Sequence, residues 1–180
     1  SMGSMSKFKP LKWLTKTFVW IIRGTPLMLQ LFVVFYVPPL VSNGSVTFAR
    51  MNAALIAFII NYAAYFAEIY RSGIESIPVG QYEAAQLLGY TRVQTFFKIV
   101  LPQVVKIVLP SVTNEVITLV KDTSLVYSVS YIEMFAVAKQ IAAAQTTVVP
   151  FFIAGIFYYV FNYVVAWVME LFEKKLNYYR

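Results

Sequence analysis

The residues able to do chemistry in this chain lie in strongly apolar surroundings. Lys121 and Asp122 adjoin within a run rich in Val, Leu and Ile, with Glu115 seven positions before Asp122. Asn61 and Glu68 are also seven apart, inside an earlier apolar run, and Arg23 and Gln30 lie within the first. Seven residues is close to two helical turns, so Asn61 and Glu68 share a helix face and must look into protein. A charged side chain at the centre of a bilayer costs about 2.5–3.5 kcal/mol on insertion scales, so each needs a partner or a purpose. Lys121, with Asp122 or Glu115, could offer opposite charges to a zwitterionic solute and replace part of its hydration. The same groups could instead pair with one another, or with another span, and only hold a bundle together. Glu68 lies near Arg71, which suits an interfacial ion pair or gate more than a substrate contact. Arg23 suits a surface anchor or the pathway, and Gln30 an interhelical hydrogen bond or the pathway lining. Both, with Asn61 and Glu68, join Lys121, Asp122 and Glu115 as candidate pathway residues. Side-chain catalysis is poorly provided for. The chain has no cysteine and no histidine, which removes the thiol nucleophile, thiolate metal ligands and the commonest general base.

The elements that must position these groups are membrane spans. The chain has 180 residues, of which 59% are hydrophobic and 13% charged, against about a quarter charged in soluble domains. Ser1-Met2-Gly3-Ser4 reads as a cloning remnant, so residues 1–5 are set aside and 6–180 form one transmembrane domain. Four spans are expected, all α-helical. The first runs from about Trp13 to Tyr36 and is interrupted by Arg23-Gly24-Thr25-Pro26, which predicts a kink or a broken helix. The second runs from Phe48 to Tyr70 and carries small residues that permit close packing. The third starts near Val104, passes Pro110 and reaches Tyr131. The last is a charge-free run from Gln140 to Met169. The net charge of +7 is distributed at the ends of spans, and nothing in the sequence resembles a nucleic-acid-binding motif. Residues 7–16, the stretch 71–98 and the tail hold ten of the fifteen basic residues, whereas the intervening loops hold only Arg50 and Lys139. The positive-inside rule then puts both termini and the 71–98 stretch in the cytoplasm.

Between the second and third spans lies a polar island, residues 80–102. Pro78 and Gly80 break what precedes, and Gln81 to Leu88 are mostly good helix formers, with Glu83 suited to the positive end of a helix dipole. Gly89 is placed to end that helix in a left-handed conformation. Thr91 and Gln94 have the spacing of a capping box that opens a second helix running toward Leu101-Pro102. The spacing predicts two short helices with a tight corner at Gly89.

Glu83-Ala84-Ala85, Gly89 and Ile99-Val100-Leu101-Pro102 together resemble the EAA loop of the membrane subunits of ABC importers. Arg23-Gly24-Thr25-Pro26-Leu27 with Gln30, Ala64-Tyr65 with Glu68-Ile69-Tyr70-Arg71, and Lys121-Asp122-Thr123-Ser124-Leu125 resemble the polar amino acid branch (histidine, glutamine, arginine). The resemblance implies an all-α type I importer transmembrane domain in a bacterial inner or cell membrane. It implies a coupling helix on which a cytoplasmic ATPase docks, with Gly80 and Glu83 at the docking face, Ala84 and Ala85 allowing close approach, and Gly89 making the corner. It further implies a second permease subunit, ABC ATPase subunits holding ATP and Mg, an extracytoplasmic substrate-binding protein, and a polar amino acid as cargo moved by alternating access. Such permeases usually carry one more membrane helix before the first span read here. Either the reading starts late, at an internal methionine, or the subunit is naturally short. No phosphate-binding loop is present, so the chain is not expected to hydrolyse ATP and binds no cofactor of its own. The alternatives are a permease for another small solute and an ATP-independent channel or scaffold subunit.

Overall fold

The computed structural model describes residues 9–176; residues 1–5, expected to be a remnant, Lys7 and Arg180 lie outside them. The described residues form eight α-helices: α1 Lys9–Arg23, α2 Leu27–Val41, α3 Arg50–Glu75, α4 Val79–Leu87, α5 Arg92–Thr95, α6 Leu101–Asp122, α7 Met134–Gln145 and α8 Val149–Leu176. A π turn, Phe96–Val100, joins α5 to α6, and a 3₁₀ segment, Thr123–Val129, follows α6. Three stretches are long and apolar enough to cross a membrane: Arg50–Glu75, Arg92–Val129 and Val149–Lys175. The bent pair α1 and α2 makes a fourth only if the two are counted together as one broken span.

That first span departs from the sequence reading in geometry. The chain turns by 105° between α1 and α2, far beyond a kink. Gly24 ends α1 by donating its N–H to the Trp20 carbonyl, and Pro26, with extended backbone, precedes α2. A proline disfavours the α conformation in the residue before it, so the two helices cannot merge. Pro38-Pro39, just past the expected end of the span at Tyr36, are tolerated inside the last turn of α2.

The last span is also shorter than its charge-free sequence suggests. It is cut at Thr146, which is left-handed with φ 48°. Thr146, Thr147, Val148 and Val149 are all β-branched and poor in helix propensity, and Pro150 falls in the first turn of α8, where its missing N–H is harmless. Residues 134–145 therefore form a separate helix.

Two clusters hold the bundle. One joins Leu31 of α2, Ala54 and Ala57 of α3, and Val126 and Val129 of the 3₁₀ segment. The other joins Ile77, Val100, Val104 and Val108, with Tyr82 of α4 packed against it. Close approach of α3 to α6 depends on Gly73, where an added Cβ would stand 2.3 Å from Val108 Cγ1. The small residues of α3 serve the same end, with Ala53, Ala57 and Ala64 almost wholly enclosed.

Candidate functional site

The polar island folds into a rigid corner. At the end of α4 the Gly89 N–H donates to the Gln86 carbonyl at 3.0 Å and the Tyr90 N–H to the Ala85 carbonyl at 3.0 Å. This crossed pair is a Schellman ending, and it requires the left-handed conformation Gly89 adopts at φ 79°. Two residues on, the capping box forms as spaced: Thr91 N–H donates to Gln94 Oε1 at 2.9 Å, and Gln94 N–H to Thr91 Oγ1 at 3.3 Å. The second helix does not stop at Pro102. It continues through the π turn into α6, giving a helical rod of 38 residues from Arg92 to Val129. Pro102 has no N–H to give to the preceding turn, and the wider π turn accommodates that loss.

The corner presents one face of α4 outward. Gly80, Glu83, Ala84 and Leu87, at helical spacing, are all exposed, and Leu87 and Leu88 are 89% and 76% exposed. The sequence reading treated Ala84 and Ala85 alike, but the structure separates them: Ala85 is buried. Its face belongs with Tyr82 and with Gln81, whose Oε1 accepts from Gln103 Nε2 at 2.5 Å. Leu87 and Leu88 escaped the sequence reading because leucines after Glu83-Ala84-Ala85 look like ordinary core residues of a short helix.

A second set of polar groups lies along α3. Arg23 Nη1 stands 3.9 Å from Glu68 Oε1, and its guanidinium lies over the Tyr65 ring, 5.3 Å from the centroid. Glu68 is also held by Arg71, which reaches on to Glu75 at 2.5 Å. The Arg23–Glu68 pair closes one end of a cleft of about 350 Å³ whose other wall carries Ser111 and Glu115 of α6. Arg23, Glu68 and Glu115, drawn from three separate helices, thus meet at one site.

Of the remaining candidates, Asn61, Gln30 and Asp122 find partners on other helices. Asn61 Nδ2 donates to Gln30 Oε1 at 3.0 Å, and Gln30 Nε2 in turn donates to the Ile22 carbonyl at 2.7 Å and to Thr25 Oγ1 at 2.9 Å. This network fastens the α1–α2 bend to α3. Asp122 accepts from the Tyr62 hydroxyl at 2.8 Å, a partner sixty residues away that no local pattern indicates. Just beyond, Thr123 Oγ1 and Ser124 Oγ donate to the Val120 and Lys121 carbonyls, where the α-helix tightens into the 3₁₀ segment. Lys121 is exposed and makes no ion pair among the described residues. Its pairing with Glu115 or Asp122, one of the two sequence alternatives, is not formed. Glu133 was not singled out in the sequence; it caps α7, accepting from the N–H groups of Phe135 at 2.7 Å and Ala136 at 2.6 Å.

An all-helical bundle with apolar spans, an outward-facing capped helix on one loop and polar clefts between spans defines a membrane permease. The sequence matches the family of binding-protein-dependent transport system inner membrane components over residues 1–178, and the chain belongs to that family. It is 36% identical over 181 residues to an L-cystine transport system permease protein of Bacillus subtilis (strain 168), covering 99% of this chain and 76% of that one. An arginine transport system permease protein of the same organism is 34% identical, covering 98% and 80%. An octopine transport system permease protein of Rhizobium radiobacter is 38% identical, covering 87% and 66%. Among solved structures, one described as an amino acid ABC transporter with histidines superposes with a TM-score of 0.86 at 30% identity, covering 97% of this chain and 80% of that one. The chain is a permease subunit of an ABC importer with the type I fold.

Proposed function

We propose that this permease imports polar amino acids delivered by an extracytoplasmic binding protein and is driven by separate ATPase subunits that hold ATP and Mg and dock on α4. The observation that carries the reading is the exposed face of Gly80, Glu83, Ala84 and Leu87 on a helix whose C-terminal end is fixed by its own hydrogen bonds and followed at once by the capping box of α5. Such a face offers a partner a carboxylate beside bare apolar surface, and Gly89 holds its angle to the rod. Relatives named for cystine, arginine and octopine support a cargo class of amino acids and their derivatives. The basic residues beside α1, α4 and the end of α8 favour the cytoplasm for that side of the molecule.

Two copies, or this chain with a similar partner, form the pathway in this reading. Four spans are few to enclose one, and the exposed apolar sides of α8 favour a neighbour or lipid. In alternating access, ATP closes the ATPase pair, α4 moves with it, and the rod carries that motion toward Asp122. Lys121 and Glu115 are the charges offered to a zwitterionic solute, with Asp122, Asn61 and Gln30 shaping the path and the Arg23–Glu68 pair gating its cytoplasmic end.

The test is co-purification of the cognate ATPase with the parent chain and with Glu83→Lys and Leu87→Asp, at matched membrane expression. Loss of the ATPase with either variant is expected. Retention with both sinks the docking assignment and turns attention to ATP-independent flux, the channel alternative.

A further inference from the structure

We infer that α1 is not a membrane-crossing segment but an interfacial helix that recognises anionic phospholipid headgroups of the leaflet nearest α4. Three observations converge on this. The helix is amphipathic in a particular way: Lys9, Lys12, Lys16 and Arg23 are spaced by three, four and seven residues and fall on one side. Leu11, Leu14, Phe18 and Ile21, spaced by three, four and three, fall on the other, and all four are exposed. There is no acidic residue in α1, and a basic, strongly amphipathic helix of this kind lies in a membrane surface with its apolar side in the acyl region.

The second observation is orientation. With α2 crossing the bilayer, the 105° bend sets α1 nearly in its plane. The third is depth. Alongside α3, α1 lines a groove with Ala63, Ala64, Ala67, Glu68 and Arg71, and Glu68 and Arg71 are the first charges after the apolar stretch of α3. The helix therefore sits at the level where hydrocarbon gives way to water. Of its four cations, Arg23 is engaged by Glu68 and Tyr65, and Lys16 lies in the same groove and attracts Glu68 at longer range. Lys9 and Lys12 are exposed and form no ion pair among the described residues. Lys9 and Lys12, with the exposed Lys16 on the same helix face, set positive charge at headgroup depth that complements phosphatidylglycerol-type lipids and not zwitterionic ones.

This rests on the family's membrane placement and on α4 marking the cytoplasmic side, but not on ATPase docking. The chain provides its own reporter, since its three tryptophans are Trp13 and Trp20 in α1 and Trp167 in α8. The full chain carrying Trp167→Phe is reconstituted in phosphatidylcholine with a minority of phosphatidylglycerol, with bromine on the acyl chains of one lipid or the other at equal mole fraction. Quenching by brominated phosphatidylglycerol is expected to exceed that by brominated phosphatidylcholine by about two-fold, and the excess should fall in high salt. Replacing Lys9, Lys12 and Lys16 together by Gln should abolish the excess, while replacing all three by Arg should keep it. Equal quenching by the two lipids, or an excess that survives the Gln variant, overturns the headgroup recognition. Absence of quenching by either lipid overturns the interfacial placement, because α1 would then be covered by protein. ATPase capture measured on the same preparations separates the two readings: capture lost with the lipid preference intact sinks the docking assignment alone.

Discussion

At the scale of single residues, Gly73 marks a close approach of α3 to α6. A Cβ there would meet Val108 Cγ1 at 2.3 Å and Val104 Cγ1 at 3.3 Å, and neither valine can swing away freely because branching at Cβ stiffens it. Gly73→Val is expected to destabilise the solubilised protein by about 1–3 kcal/mol, measured by thermal unfolding in detergent. Val108→Ala should recover part of that loss in the double variant; an additive result would mean the two helices do not touch at this point. The Tyr62–Asp122 bond makes a second prediction. Tyr62→Phe and Asp122→Asn should each impair transport, and the pair should do little more than the worse single change. Full additivity would count against the bond. Here sequence reasoning reached its limit. It flagged Asp122 as a polar group in need of a partner, yet the partner lay sixty positions away on another span, and only packing could name it. Lys121, the residue the sequence made most of, finds no partner within the described chain, because the helix turns it outward while Asp122 faces α3.

At the scale of elements, the structure agrees with the sequence wherever the signal is local. The Gly89 corner and the Thr91–Gln94 box were legible because each is decided within about six residues by steric and hydrogen-bonding rules. The inward placement of Ala85 was not legible, since it depends on where Tyr82 and the long helix lie. The break at Thr146 was hidden inside an uncharged run whose length alone suggested a span. The right angle between α1 and α2 was half visible: Gly24 and Pro26 announced an interruption, but not its size. One prediction belongs to this scale. Thr91→Ala removes the hydroxyl half of the capping box and should cost about 1 kcal/mol of local stability. Hydrogen exchange should then quicken over residues 92–96, while the buried middle of α3 keeps its protection. Unchanged exchange at the start of α5 would show that the box contributes nothing.

For the whole molecule, the absence of cysteine from the sequence makes the orientation directly testable. Gln86→Cys, on the exposed side of α4, should be labelled by an impermeant maleimide from the cytoplasm, and Asn43→Cys, in the turn between α2 and α3, only from the opposite side. Labelling of both from one side would mean that α3 does not cross. The long helical rod, Arg92 to Val129, gives the result mechanical meaning, since the thirty steps from Arg92 to Asp122 at 1.5 Å each span about 45 Å and link the α4 corner to the neighbourhood of Asp122. The doubly capped corner has a further consequence, one of timing. Because the end of α4 and the start of α5 satisfy their own backbone groups, the joint is already folded when nothing touches it. A partner that engages it loses none of its contact energy to ordering a loose segment and need not wait for one to fold. In the proposed docking, assembly then joins two finished surfaces.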